Sequence, residues 1–344
     1  MSESQSFWRR WLGKAANAPA GESVAAEIPP GLQRYELGDE IGRGAMAIVF
    51  GAVDRASGEQ VAIKRLALQR EFAAEDLKEV RQRFMREARA AGHLKHPDIL
   101  RVIDAGEADA DAWIAMERVR GVDLSHFTRP GQLLPLTETL QLGIRLARAL
   151  AYAHSQGVIH RDIKPANVMF ERASGAVKVM DFGIARIADG SRTRTGLVLG
   201  TPSFMSPEQL AGLKVDGRSD LYSLGALLYQ LLTGNLPHQS ESMAKLMYQI
   251  ANQAPPDVRH YRPELPEALA LVLALTLEKR PELRYASGEQ LALDLEAVLP
   301  QCAQAPAAAP LSQGVPPHAS ADSVDPFAQT VRIDTRVPGQ NSKP

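Results

Sequence analysis

One stretch limits the folds open to this chain more than any other: HRDIKPANVMFERASGAVKVMDFG, residues 160–183. Two apolar runs, Val168 to Phe170 and Val177 to Met180, flank a segment carrying Ser174 and Gly175. That pattern predicts an antiparallel hairpin with the Ser-Gly pair at its turn. Antiparallel pairing brings the residue before the first run, Asn167, beside the residue after the second, Asp181, from fourteen positions away. A side-chain amide oxygen and a carboxylate thus converge at the mouth of the hairpin.

Any one of His160, Arg161, Asp162, Lys164 or Asn167 alone reads as an ordinary solvated loop residue. Their convergence asks for chemistry. Two hard oxygen donors suit Mg²⁺, which takes a carboxylate or two and fills its shell with water and phosphate oxygens. Asp162, five residues before Asn167, is placed to accept a proton from an incoming hydroxyl. Lys164 would neutralise charge on a phosphoryl group in transit.

Such a centre needs something to hold phosphates. IGRGAMAIV, residues 41–49, puts Gly42 and Gly44 at a strand-to-strand turn, where the missing Cβ atoms let backbone N–H groups approach phosphate oxygens. Lys64 ends the strand-like VAIK. Between Glu71 and Leu94, the apolar residues Leu77, Val80, Phe84, Ala88 and Ala91 recur at steps of three and four, predicting a helix with Glu87 at the edge of its apolar face. Taken singly, a glycine pair is a plain turn, Lys64 a solvated strand end and Glu87 a helix-surface charge.

The wider chain sets bounds. With 344 residues, 45% of them hydrophobic, it can bury a large core. Its 39 basic and 40 acidic side chains give no global field for nucleic acid, and nucleic-acid binding is not expected. Cys302 is the single cysteine, so no intrachain disulfide forms and a cytoplasmic location is expected. The longest apolar run, ALALVLALTL at 268–277, is too short to span a bilayer and is expected to be a buried core helix. Strand-like segments dominate from Tyr35 to Glu117. After Gly121 the chain turns helical, as in TETLQLGIRLARALAYAHSQG with Thr137 as N-cap and Gly157 past the end. Residues 1–34 read as a flexible extension and 300–344 as a disordered tail.

Together and in this order, Gly42-x-Gly44, VAIK with Lys64, helical Glu87, HRDIKPAN, DFG at 181–183 and SPE at 206–208 resemble the eukaryotic-type protein kinases, and especially the bacterial serine/threonine members without a transmembrane sensor. The general family is also a standard worked case of phosphoryl transfer. The resemblance implies a bilobed α+β fold over residues 35–299: a β-rich N-lobe with one key helix at 35–118 and a mainly helical C-lobe at 119–299. It implies that Lys64 pairs with Glu87 and holds the α- and β-phosphates of ATP. Asp162 would be the catalytic base, with Lys164 beside it. Asn167 and Asp181 would hold Mg²⁺, with Mn²⁺ as a substitute. The adenine would sit between the lobes, with Ile41, Val49 and Ala62 above, Met169 below, Met116 at the back, and the backbones of Glu117 and Val119 along its edge. Lys164 together with Thr201 points to serine and threonine hydroxyls of protein substrates. Glu208 would pair with Arg284.

Two departures stand out. Ala47 replaces the third glycine of the phosphate loop, and Ser206 replaces the alanine that usually opens the APE motif. Two rivals are weaker. A pseudokinase scaffold would have lost Lys64, Asp162 or Asp181, and all three are present. A small-molecule kinase would not need the peptide-binding segment GTPSFMSPE.

Regulation is expected at three places. Arg161 beside Asp162 resembles kinases whose activation loop is ordered by phosphate, with Thr193 and Thr195 the best acceptors and Ser191 the third. Thr330, followed three residues later by Ile333, resembles the phosphothreonine peptides read by forkhead-associated domains, the alternative being a bland linker. A cognate phosphatase would reverse these marks. FWRRWLGK at 7–14 is expected either to contact an anionic membrane as a short interfacial helix or to dock on protein.

Overall fold

The computed structural model describes residues 31–44, 47–68, 72, 74–108, 111–182 and 202–304. Gly183, Ser191, Thr193, Thr195, Thr201, Thr330 and FWRRWLGK lie outside the described residues. The chain divides into two compact units, one drawn from 1–70 and 103–118, the other from 71–102 and 119–344.

The first unit is a five-stranded sheet in the order β1 (Tyr35–Arg43), β2 (Ala47–Asp54), β3 (Gln60–Leu66), β5 (Asp111–Glu117), β4 (Val102–Ala108). The β1–β2, β2–β3 and β3–β5 pairs are antiparallel. Alternation along the strands gives the sheet two distinct faces. Phe50 pairs with Ile63, Ala52 with Val61 and Ile63 with Ala115, and these residues pack with Leu32, Tyr35 and Trp113 into one core. The other face carries Val49 opposite Lys64, and Ala62 opposite Met116.

The second unit is mainly helical: α1 (Leu77–Gly92), α2 (Leu136–Ser155), α3 (Pro207–Leu210), α4 (Gly217–Thr233), α5 (Met243–Asn252), α6 (Glu267–Thr276) and α7 (Gly288–Gln304). It also holds a three-stranded sheet of β6 (Val122–Asp123), β7 (Val168–Glu171) and β8 (Ala176–Val179). α1, the sequence-predicted helix bearing Glu87, buries Val80, Phe84, Ala88 and Ala91, and it groups with this unit rather than with the sheet of the first. α4 is buried from Ser219 to Thr233 without a break, as a helix at the centre of a bundle must be. Gly234, at φ 73°, adopts the left-handed conformation that ends this helix. Among the described residues, no helix is long and apolar enough to cross a membrane.

Two expectations need correction. Thr137 is not the N-cap of α2: the helix begins at Leu136 behind Pro135, whose extended backbone starts the turn and whose carbonyl accepts from the Thr139 hydroxyl. Gly157 does follow the end of α2, at φ 73°. The run at 268–277 is only half buried. α6 turns Leu269, Val272 and Leu273 inward but leaves Leu271 63% exposed, on a face that none of the described residues buries.

Candidate active site

The hairpin forms as predicted, with its register one residue from expectation. Val168 pairs with Val179, so Asn167 lies opposite Met180, whose N–H donates to the Asn167 carbonyl at 2.9 Å. Asp181 follows one residue later at φ 62°, a left-handed backbone that only glycine adopts without cost. The chain therefore turns at the carboxylate itself, after the last ladder bond.

The loop before β7 is held from beneath by a carboxylate the sequence reading did not single out. Asp220, in the first turn of α4, is fully buried. Its Oδ2 accepts the His160 N–H at 2.8 Å and the His154 Nε2–H at 2.7 Å. Its Oδ1 accepts the Arg161 N–H at 2.7 Å. His160 then reaches the other side of the hairpin mouth, where its Nε2 donates to the Met180 carbonyl at 2.6 Å. With the ring proton on Nε2, Nδ1 is free to accept the Asp162 N–H at 3.2 Å. Arg161 between them sits at φ 69°, a strained backbone that the two bonds to Asp220 hold in place. An acid in the first turn of an otherwise apolar helix was the available sequence signal, because a buried carboxylate requires partners.

On this frame three of the predicted residues converge. The Asn167 amide donates to the Asp162 carbonyl at 2.8 Å and to Asp162 Oδ2 at 2.9 Å. Lys164 Nζ lies 2.7 Å from the same Oδ2. Asn167 is buried, while the side chains of Asp162 and Lys164 are 27% and 20% exposed, rigidly based yet open to a reactant. Because the Asn167 nitrogen faces Asp162, its oxygen is the atom left to meet a cation. Asp181, the other residue expected to hold a metal, stands one position past the last ladder bond of the hairpin. No cluster of three or more His, Cys, Asp or Glu that could hold a metal occurs among the described residues.

In the first unit, strand register alone puts Val49, Ala62, Lys64 and Met116 on one face. Gly42 pairs with Val49, and the Gly44 N–H donates across the turn to the Ala47 carbonyl at 2.8 Å. Ile41 is exposed in β1, and Glu117 pairs with Val61 at the end of β5. Val119, Met169 and Glu87 belong to the second unit, with Met169 in β7 opposite Lys178.

Past the undescribed segment, Glu208 and Arg284 form the expected pair. Arg284 Nη1 and Nη2 reach Glu208 Oε1 and Oε2 at 2.7 and 2.8 Å, and both residues are buried. Burial, the largest single influence, pushes the Glu208 carboxyl up. Hydrogen bonds from Arg284 and Ser219, with the Arg284 charge, outweigh it and leave the group below its ordinary range. Ser206 has a physical role of its own: it caps α3, accepting the Gln209 N–H while the Gln209 side chain accepts the Ser206 N–H.

Comparison with known proteins supplies the family. The protein kinase domain family matches residues 35–294. A probable serine/threonine-protein kinase of Streptomyces coelicolor is 43% identical over 273 residues, covering 77% of this chain and 40% of the relative. The serine/threonine-protein kinase PknB of Mycobacterium leprae is 41% identical over 276 residues, covering 78% of this chain and 43% of the relative. The matched part is thus about two fifths of the length of these curated relatives. The crystal structure of Rad53 1-466 in complex with AMP-PNP superposes with a TM-score of 0.62 at 24% identity, over 76% of this chain and 64% of that one, and shares its fold. Members of this family transfer phosphoryl groups from ATP with a divalent metal ion. With a family match over most of its length and relatives at these identities, the chain belongs to the protein kinase family.

Proposed function

We propose that this chain is a serine/threonine protein kinase that transfers the γ-phosphoryl group of ATP to hydroxyls on proteins. The observation that carries the reading is the convergence of Lys164 and Asn167 on Asp162, above a buried carboxylate that fixes the loop. Asp162 is the proton acceptor for the attacking hydroxyl, and Asn167 holds that carboxylate by its amide. Lys164 offsets negative charge as the phosphoryl group moves. Asn167 and Asp181 would hold Mg²⁺, which would supply charge neutralisation between the phosphates. Lys64 and Glu87 take the family roles of phosphate holder and its partner. The backbone at Gly42 and Gly44 cradles phosphate, and Ile41, Val49, Ala62, Met116, Glu117, Val119 and Met169 take the adenine.

Several finer assignments rest on sequence alone. Thr193 and Thr195 are taken as autophosphorylation sites, and phospho-Thr330 as a ligand for a forkhead-associated domain, with a phosphatase to reverse both. A reducing, cytoplasmic setting suits a chain whose one cysteine, Cys302, is buried and unpaired.

The test is incubation of the full chain with labelled ATP and Mg²⁺, alongside Asp162→Asn, followed by phosphosite mapping. The expected result is phosphoserine or phosphothreonine with the wild-type chain and almost none with the variant. Equal labelling of the two proteins would sink the assignment of Asp162.

A further inference from the structure

Gln209 lies outside the motifs that identify the family, yet both ends of its side-chain amide are engaged. Its Oε1 accepts the Ser206 N–H at 3.0 Å and the Ser206 hydroxyl at 3.0 Å, closing the cap of α3. Its Nε2 donates to the Arg161 carbonyl at 2.8 Å, across 48 positions of sequence. A backbone N–H can only donate and a carbonyl can only accept, so the two contacts together require an amide in this orientation. Neither a carboxylate nor a hydrocarbon satisfies both.

The carbonyl that Gln209 holds belongs to the strained residue. Arg161, at φ 69°, is gripped on its N–H side by Asp220 and on its C=O side by Gln209. Those two bonds fix both peptide planes that flank Arg161, and the second plane carries the N–H of Asp162. The orientation of the Asp162 backbone, and with it the carboxylate, follows from the grip. Gln209 is also the neighbour of Glu208, which the buried Arg284 anchors to the body of the unit. One short helix therefore ties three things together: its own cap, the Arg284 anchor and the peptide before Asp162.

We propose that Gln209 is a positioning residue for phosphoryl transfer, acting through the Arg161 carbonyl to hold Asp162 in register with the anchored segment 206–210. The inference rests on the kinase reading for its catalytic consequence but not for its structural one. Displacement of a reacting group by a fraction of an ångström is costly in rate, whereas the binding of ATP does not involve this contact.

Gln209→Glu separates the two contacts. A glutamate at this position keeps the reciprocal cap with Ser206, and its charge suits the first turn of a helix. It cannot donate to the Arg161 carbonyl. Gln209→Ala loses both contacts and serves as the comparison. In hydrogen–deuterium exchange of the full chain, Gln209→Glu is expected to speed exchange at residues 160–163 while α4 stays protected and the melting temperature is held. In steady-state assays kcat should fall by roughly tenfold with the KM for ATP unchanged, the pattern of a misplaced catalytic group. Gln209→Ala should show the same loop exchange together with a lower melting temperature. Wild-type exchange at 160–163 in Gln209→Glu would overturn the proposal, whatever the activity. The exchange readout stays decisive even if the wild-type chain transfers no phosphoryl group, an outcome that would instead sink the kinase reading.

Discussion

The loop at 160–167, proposed to carry the proton acceptor, and the glycine hairpin at 41–49, proposed to cradle phosphate, are built in opposite ways. The loop at 160–167 is held by side chains from distant parts of its unit, Asp220 on two of its N–H groups and Gln209 on a carbonyl, and its own His160 bridges to Met180. The hairpin is held by its own strand ladder and one cross-turn bond from Gly44 to Ala47, and its charged pair, Arg43 with Glu40, is exposed. The difference follows from what each must present. A proton acceptor is a single carboxylate that has to be in one place. A phosphate cradle is made of backbone N–H groups that strand pairing already spaces.

The contrast can be broken most severely at its chemical end. Asp162→Asn should lower kcat by about 10³-fold or more while leaving the melting temperature near that of the parent, since the loop frame does not depend on the carboxylate charge. Phosphate release from labelled ATP and a thermal melt on the same preparation read the two together. Removing the frame should do the reverse. Asp220→Ala leaves the N–H groups of His160 and Arg161 and the ring of His154 without their buried acceptor. A loss of about 3–5 kcal/mol in urea unfolding is expected from such orphaned donors. Glu208→Gln should cost about 3 kcal/mol, because Arg284 would keep its charge in a buried site without a counter-ion.

Acid sharpens the same comparison between units. His238 is buried against Lys279, 3.0 Å away, and burial first, then the Lys279 charge, pull its pKa down to about 4. The unfolded chain takes up that proton from about pH 6.5 downward, so stability of the second unit should fall between about pH 6.5 and 4. In the first unit, the hydrogen bond from Arg34 lowers Asp54 to about 2. That contribution is retained above about pH 4 and lost only as pH falls further towards 2. Residue-resolved exchange across a pH series should show α4 and α6 weakening before β2, and His238→Gln should flatten the earlier transition. The smallest effect is expected at the hairpin: Ala47→Gly should lower the KM for ATP by about two- to threefold with kcat unchanged, because only a methyl near the backbone cradle is removed.

The sequence was most legible where the structure is local. The β7–β8 hairpin, α1 with its buried Val80 and Phe84, and the grouping of Asp162, Lys164 and Asn167 all follow from periodicity or short spacing. The one-residue offset at Asp181 is a matter of strand register, which the extent of an apolar run does not encode. Asp220 and Gln209 escaped because their meaning lies in partners 60 and 48 positions away. Thr137 was misplaced because a threonine looks the same in the sequence whether it stands before a helix or, as here, second within it.

The tethers of Arg161 also bear on when the site comes into being. Its grip needs Gln209 and Asp220, 48 and 59 residues downstream, so no local nucleation can produce it. Closing contacts over such distances comes late in folding, after the loop entropy has been met by other packing. On a ribosome, where chains emerge from the N-terminus, the motif HRD is exposed well before the residues that shape it. A nascent or truncated chain ending before α4 therefore carries every residue of the Asp162 cluster without its geometry, and catalytic competence arrives only with the body of the second unit.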